Sequence, residues 1–136
     1  MNPQHTNNIN SLFLHLLSAA IWDKPADASL FEGLETETWK EIMDLAQRQT
    51  VTALIADKAL SLPKESLPPR ELKLQFVVLI NQTEAMNRKM IQVLKELSVE
   101  YQEGDFPICL LKGLGNGVNY PSPLLRNAGD IDLYLY

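Results

Sequence analysis

One long apolar stripe in the middle of the sequence constrains the fold more than any other feature. From residue 72 to residue 97, mostly apolar residues recur at alternating steps of four and three: Leu72, Phe76, Leu79, Thr83, Met86, Met90, Val93 and Leu97. This spacing places them along one side of a helix. At a rise of about 1.5 Å per residue, such a helix of roughly thirty residues is about 45 Å long.

The stripe is compatible with two arrangements. A repeat of this kind occurs in coiled-coil dimers, but the shorter helices predicted before it favour burial of the stripe within its own chain. The opposite face of the same helix is polar, and we interpret it as a solvated surface, with the lining of a pocket as the alternative. Its residues are Asn81, Gln82, Glu84, Asn87, Arg88 and Lys89.

The segments before the stripe predict shorter helices. "NNINSLFLHLLSAAIW" predicts a helix from about residue 8 to 22. "TETWKEIMDLAQRQ" predicts a second, in which Thr38 and Glu41 have the spacing of a capping box. "TALIADKAL" predicts a third, and "SLPKESLPPR" a turn-rich connector. By their spacing, Trp22, Trp39, Phe76 and the methionines are expected in the core.

After the long helix the period of the apolar residues changes. Gly104 and Pro107 end the helix, and "ICLLKG" predicts a short buried strand in which Cys109 packs as an apolar residue. A short helix starting at Gly113 is expected next, since glycine there allows close approach to the backbone. "PSPLLRNAG" then predicts a loop, and "DIDLYLY" a second strand.

The last strand carries two aspartates. With a period of two, Ile131, Leu133 and Leu135 share one face, while the other face carries Asp130, Asp132, Tyr134 and Tyr136. The α-carbons of the two aspartates are about 6.6 Å apart in a strand, so their oxygens can converge on one cation. Magnesium or manganese suits such oxygen ligands. The alternative is two exposed aspartates on a sheet edge, which is the usual meaning of an isolated D-x-D.

Composition narrows the class of protein. The net charge of −5 argues against binding of nucleic acid, because no broad basic surface is expected. Cys109, the single cysteine, cannot form an internal disulfide. The amino terminus lacks the features of a secretion signal, and the apolar runs are shorter than a membrane span. We therefore expect a cytoplasmic protein that has no membrane partner.

The aspartates belong to a longer motif. In order, the chain has a strand ending in Leu111-Lys112-Gly113, then Tyr120-Pro121, Arg126 and Gly129-Asp130-Ile131-Asp132-Leu133. This run resembles the signature of a poorly characterised nucleotidyltransferase family of the DNA polymerase β-like superfamily. The helical segments before it also resemble that family's amino-terminal half. The resemblance covers nearly the whole chain, which corresponds to only the first half of a family member.

The resemblance implies an α+β fold. An N-terminal helical bundle with a long helix is followed by the β-α-β start of a polymerase β-like nucleotidyltransferase sheet. We expect a helical region over residues 1–101 and an incomplete nucleotidyltransferase core over residues 102–136, with one compact unit as the alternative.

The resemblance also implies a reaction and its residues. A nucleoside monophosphate is transferred from a nucleoside triphosphate to an unknown acceptor hydroxyl, with Asp130 and Asp132 as catalytic ligands of Mg²⁺ or Mn²⁺. Gly113 matches the glycine that approaches the phosphates, although Leu114 replaces the usual small residue after it. Lys112 contacts a phosphate or pairs with one of the aspartates. Arg126 clamps a phosphate or holds the loop against an aspartate.

One element of the superfamily's site is missing from this sequence. Its enzymes use a third carboxylate on a later strand, and no residue follows Tyr136 to supply it. A two-strand sheet also leaves its edges unpaired. We expect a fragment of a longer enzyme, or two copies paired through strand edges or the long helix. The alternative function is a catalytically inactive helical interaction module, similar to an antitoxin, that keeps the scaffold.

Overall fold

The computed structural model describes residues 3–135, with side chains over residues 8–135. Within that range the helices are α1 (Pro3–Ile21), α2 (Thr36–Arg48), α3 (Thr52–Leu60), α4 (Arg70–Glu103) and α5 (Lys112–Gly117), and the strands are β1 (Ile108–Leu111) and β2 (Asp132–Leu135). The described part is mainly helical with a small sheet, so the α+β class is confirmed. Tyr136, predicted on the face of the aspartates, lies outside the described residues.

The helices occur where the sequence predicts them, but some of their ends differ, since α1 begins at Pro3 and not at about residue 8. α3 has the predicted bounds, and α4 contains the whole predicted stripe. The prediction of a capping box at Thr38 and Glu41 is wrong, because α2 begins at Thr36 and both residues lie inside the helix. The cap residue of α2 is Glu35, whose side chain makes no capping hydrogen bond. No helix in the described residues is both long and apolar enough to span a bilayer.

The chain divides into two compact units, residues 1–80 and 81–136. α1, α2, α3 and the start of α4 enclose the core of the first unit. The predicted boundary at residue 101, which separates helical from sheet sequence, stays a prediction.

Aromatic residues lie at the centre of the first unit's core. Trp39 stacks on Phe31 with ring centroids 5.7 Å apart, and its ring meets the edge of Phe76 at 6.5 Å. All three side chains are almost completely buried. Trp22 was expected among them, but it is 69% exposed because α1 ends one residue earlier. The core predicted from spacing is therefore confirmed for Trp39 and Phe76 and wrong for Trp22.

The buried stripe of α4 departs from its predicted positions in the second half of the helix. Met86 is 61% exposed and Val93 is 40% exposed, whereas Asn87 is buried with 1% exposed. A straight helix has 3.6 residues per turn, so a strict seven-residue repeat drifts by about 20° with each heptad. From Leu72 to Met86 this drift amounts to only about 40°, less than the ~100° between neighbouring helix positions. Asn87 is buried where it contacts residues 124 and 126. The solvated surface predicted for Asn87 is wrong.

The second unit contains an antiparallel pair of strands. β1 pairs with β2 in a register that places Leu111 opposite Asp132 and Cys109 opposite Tyr134. Opposed residues of an antiparallel pair share a face, so Cys109, Leu111, Asp132 and Tyr134 lie on the same side of the sheet. Cys109 is exposed on that side, and the prediction that it is packed is wrong. Leu110 and Leu133, both half-buried, lie on the other side.

Candidate functional site

The antiparallel register brings the two ends of the predicted motif together. β1 ends at Leu111, directly opposite Asp132 at the start of β2. Residues that follow β1 therefore lie beside residues that precede or begin β2, although about twenty positions separate them in sequence. Asp130 lies just before β2, because the strand is shorter than "DIDLYLY" predicted.

Gly113 lies close to the backbone of Asp130 where these two ends meet. Its φ of 45° and ψ of −117° are non-helical and belong to a region that residues with a side chain rarely adopt. A Cβ added at this position would lie 3.1 Å from the backbone oxygen of Asp130. The preceding Lys112 also has a positive φ, of 27°. The glycine thus permits a tight junction between β1 and α5 right beside Asp130.

Asp132 is the partly buried carboxylate of the pair. Its side chain is 29% exposed, whereas Asp130 is an exposed residue. The Oδ2 atom of Asp132 is buried and has no hydrogen-bond partner within the described residues. Lys112 Nζ lies 3.1 Å from Oδ2, an ion-pair distance at which the alignment is too poor for a full hydrogen bond. Burying a carboxylate oxygen without a hydrogen-bond donor costs free energy, and here the charge of Lys112 is the main compensation.

Lys112, whose side chain is 66% exposed, forms an ion pair with this carboxylate. The partial hydrogen bond to Asp132, then the charge of Asp132, and then the charge of Asp130 raise the pKa of Lys112 above its ordinary value of 10.5. The ammonium is therefore fully charged at neutral pH. Of the two roles predicted for Lys112, the structure contains the ion pair with an aspartate.

The aspartate pair fits a hard divalent cation by the chemistry of its donors. Carboxylate oxygens are the preferred ligands of Mg²⁺ and Mn²⁺, and Asp132 Oδ2 is a buried acceptor that lacks a well-aligned donor. The described residues contain no group of three or more histidine, cysteine, aspartate or glutamate side chains placed to hold a metal. Within the described residues the site therefore offers two carboxylates, those of Asp130 and Asp132.

Arg126 is part of the same site, but its partner differs from the predicted one. Its Nη1 atom donates a hydrogen bond to the carbonyl oxygen of Gly113 at 2.8 Å. Its guanidinium carbon lies 6.0 Å from the centroid of the Tyr120 ring. The expected clamp against an aspartate is replaced by a clamp on the glycine next to the aspartates. The structure thus joins Lys112, Gly113 and Arg126 to Asp130 and Asp132.

Sequence reasoning missed one residue of this unit, Asn87 of α4. Its Nδ2 atom donates to the carbonyl oxygens of Leu124 and Arg126 at 2.7 and 2.8 Å. No local period singles out Asn87, because its partners lie 37 and 39 residues away in the sequence.

Comparisons with known proteins agree with the geometry. A family model described as "Uncharacterised nucleotidyltransferase" matches residues 35–136, which include α2, α3, α4 and every residue of the candidate site. No curated protein and no solved structure matches the chain.

Proposed function

Because the chain belongs to the uncharacterised nucleotidyltransferase family, we propose that Asp130 and Asp132 hold Mg²⁺ or Mn²⁺ for a nucleotidyl transfer. The acceptor's hydroxyl oxygen bonds to the α-phosphorus of a nucleoside triphosphate. The bond from that phosphorus to the bridging oxygen breaks, pyrophosphate leaves, and the hydroxyl proton passes to a base. The bound cation supplies charge neutralisation and orients the phosphates.

The carrying observation is the convergence of opposite charges and a tight glycine turn on one end of the sheet. Lys112 Nζ already lies 3.1 Å from an oxygen of Asp132. If Asp132 held a divalent cation on that oxygen, the cation would neutralise the carboxylate, and Lys112 would be available to contact a phosphate oxygen as a point charge. Both predicted roles of Lys112 are thereby used, one before the nucleotide binds and one after.

Further features support a polymerase β-like arrangement. A strand, a short helix and a second strand occur in the order that this superfamily uses, and the glycine at the start of the helix lies against Asp130. A cytoplasmic location remains our expectation.

The proposal requires a third carboxylate for full activity. Two-metal sites stabilise both the attacking and the leaving oxygen, which takes more ligands than Asp130 and Asp132 offer. The described residues place no third carboxylate with them. We therefore assign it either to further sequence or to a second copy that pairs with a free strand edge or with α4.

Titration calorimetry with nucleoside triphosphate and Mg²⁺ tests the proposal. We expect the double variant Asp130→Asn, Asp132→Asn to lose binding that the unchanged chain shows. The matched control is Glu100→Gln, Glu103→Gln, which removes the same charge from two exposed carboxylates of α4. Equal binding by the aspartate variant and the unchanged chain would sink the proposal.

A second candidate function rests on the lack of a third carboxylate in the described residues. A catalytically inactive interaction module, similar to an antitoxin, keeps the scaffold and binds a partner protein. Pyrophosphate release by this chain in the presence of Mg²⁺, abolished by Asp130→Asn, Asp132→Asn, excludes this candidate.

A further inference from the structure

Asn87 is a buried amide on α4 that donates hydrogen bonds to the segment carrying Arg126. We propose that Asn87 is a positioning residue, which holds Arg126 so that its guanidinium fixes Gly113 beside Asp130. This role rests on the proposed function insofar as it concerns nucleotide binding. The placement of the loop itself does not depend on that function.

The first step of the argument is the unusual burial of Asn87. The side chain is 1% exposed on a helix whose other inward positions in this unit are half-buried. Its amide nitrogen has two N–H groups, and the carbonyls of Leu124 and Arg126 accept from it. Both donors of the amide are therefore used on a single short turn of the chain.

The second step is the position of that turn. Pro123–Leu125 form a 3-10 turn whose last residue, Leu125, is buried with 4% exposed. Arg126 follows immediately, so the two hydrogen bonds from Asn87 restrain the backbone at both ends of the segment from 124 to 126. A backbone held at these points limits the directions in which the Arg126 side chain can extend.

The third step connects Arg126 to the aspartates. Arg126 Nη1 donates to the Gly113 carbonyl at 2.8 Å, and the Gly113 α-carbon is packed so closely that a Cβ would lie 3.1 Å from the Asp130 oxygen. The linkage runs from Asn87 through Arg126 and Gly113 to Asp130. Every member of it lies within residues 81–136.

Replacing Asn87 is expected to weaken nucleotide binding while Asp130 and Asp132 remain in the chain. Supporting residues of a metal site typically change metal affinity by about 10- to 100-fold when they are removed. Asn87→Leu keeps the approximate size of the side chain and removes both donors. We expect it to weaken binding of nucleoside triphosphate with Mn²⁺ about tenfold or more.

Ser98→Ala is the matched control for that measurement. Ser98 also lies on α4 in the same unit, and its hydroxyl donates to the carbonyl of Leu94 within the helix itself. Its loss removes a hydrogen bond of α4 without touching the turn. We expect Ser98→Ala to bind as the unchanged chain does, and an equal loss of affinity in both variants contradicts the proposal.

A double-variant cycle separates positioning through Arg126 from general support of the fold. If Asn87 acts through Arg126, Asn87→Leu adds little to the affinity already lost in Arg126→Met. A merely structural role predicts that the two losses multiply. If the double variant loses affinity by the product of the two single losses, the inference is overturned. If it binds as tightly as the weaker-binding single variant, the inference is supported.

Hydrogen exchange tests the same role without any ligand. We expect the backbone amides of residues 112–117 to exchange about tenfold faster in Asn87→Leu, while amides of α2 keep their rates. Unchanged exchange at residues 112–117 overturns the inference. If Asn87→Leu does not fold, Asn87→Ala replaces it, because the smaller side chain leaves space for water to reach the two carbonyls.

The outcomes distinguish the two proposals. If the unchanged chain binds no nucleotide with Mn²⁺, the proposed function fails, and hydrogen exchange alone decides the role of Asn87. If the unchanged chain binds and Asn87→Leu binds equally well, the role of Asn87 fails while the proposed function stands.

Discussion

Different kinds of interaction stabilise the interior of each of the two units. All but two of the buried apolar residues of the described chain lie in residues 1–80, around Phe31, Trp39 and Phe76. The only apolar side chains that residues 81–135 bury to the same extent are Leu125 and Ala128, and this unit also has the hydrogen bonds of Asn87 and Arg126. Apolar burial is non-directional, whereas hydrogen bonds fix particular atoms at particular distances.

The contrast between apolar packing and hydrogen bonding bears on where a site of defined geometry lies in a small protein. Apolar packing tolerates exchanges of similar volume, so it specifies a core without specifying one side-chain atom. The second unit places the Arg126 guanidinium on one carbonyl and the Lys112 ammonium on one carboxylate. Its structure therefore depends on a few residues whose individual replacement has effects at the candidate site.

The largest expected effect lies in the first unit. Phe76→Ala leaves a cavity beside Trp39 and is expected to lower the free energy of unfolding by about 3–5 kcal/mol. Urea unfolding followed by tryptophan fluorescence measures this loss. Leu74→Ala, two residues away and 63% exposed, is expected to change it by less than about 0.5 kcal/mol. Similar losses in both variants contradict a core centred on Phe76.

A smaller effect is expected at the turn of the second unit. Gly113→Ala forces a side chain into a backbone region that costs about 1–3 kcal/mol and brings a Cβ to 3.1 Å from the Asp130 oxygen. We expect that loss in urea unfolding, together with weaker nucleotide binding.

The chain offers a matched control for this glycine. Gly129 has no positive φ, and no heavy atom lies within 4 Å of a Cβ built there. We expect Gly129→Ala to leave stability unchanged or to raise it by up to about 1 kcal/mol. A larger loss at Gly129 than at Gly113 shows that the tight approach is not where the structure has it.

The smallest effect is the pH dependence of the Lys112–Asp132 pair. The pKa of Lys112 is raised, so its contribution is fully present below the ordinary value of 10.5 and is lost as the pH rises through the raised pKa. Lys112→Met is therefore expected to be slightly less stable than the unchanged chain near neutral pH. That difference should disappear in strongly alkaline buffer.

Urea unfolding at several pH values measures this dependence. Lys89→Met, at an exposed position of α4, is the control and should show no comparable change with pH. A difference for Lys112→Met that grows as the pH rises through the alkaline range contradicts the pairing.

The sequence predicts the first unit well because its information is local. The period of apolar residues locates α3 at its observed bounds and identifies Trp39 and Phe76 as core residues. The period does not show where a helix stops, and for that reason Trp22 was assigned to the core. Capping is similarly local, but Thr38 and Glu41 have a spacing that also occurs inside a helix.

The candidate site was predictable in its members and unpredictable in its contacts. The motif in the sequence predicts Lys112, Gly113, Arg126 and both aspartates as members of one site. Which carbonyl receives Arg126 depends on a contact across thirteen residues, and the partners of Asn87 lie 37 and 39 residues away. No pattern of neighbouring residues contains such distances. Cys109 was misassigned for a related reason, because apolar neighbours in a short strand do not reveal which face is covered.

The antiparallel pairing of β1 with β2 has a consequence for how this site can vary. Because Leu111 lies opposite Asp132, the intervening segment leaves the sheet and returns to the place where it began. The free energy of closing such an excursion rises by only about 0.6 kcal/mol for each doubling of its length. Residues inserted near Val118, which is 76% exposed and precedes the turn held by Asn87, would lengthen the excursion without displacing its base. The length of this segment can therefore vary while Asp132 keeps its place opposite Leu111.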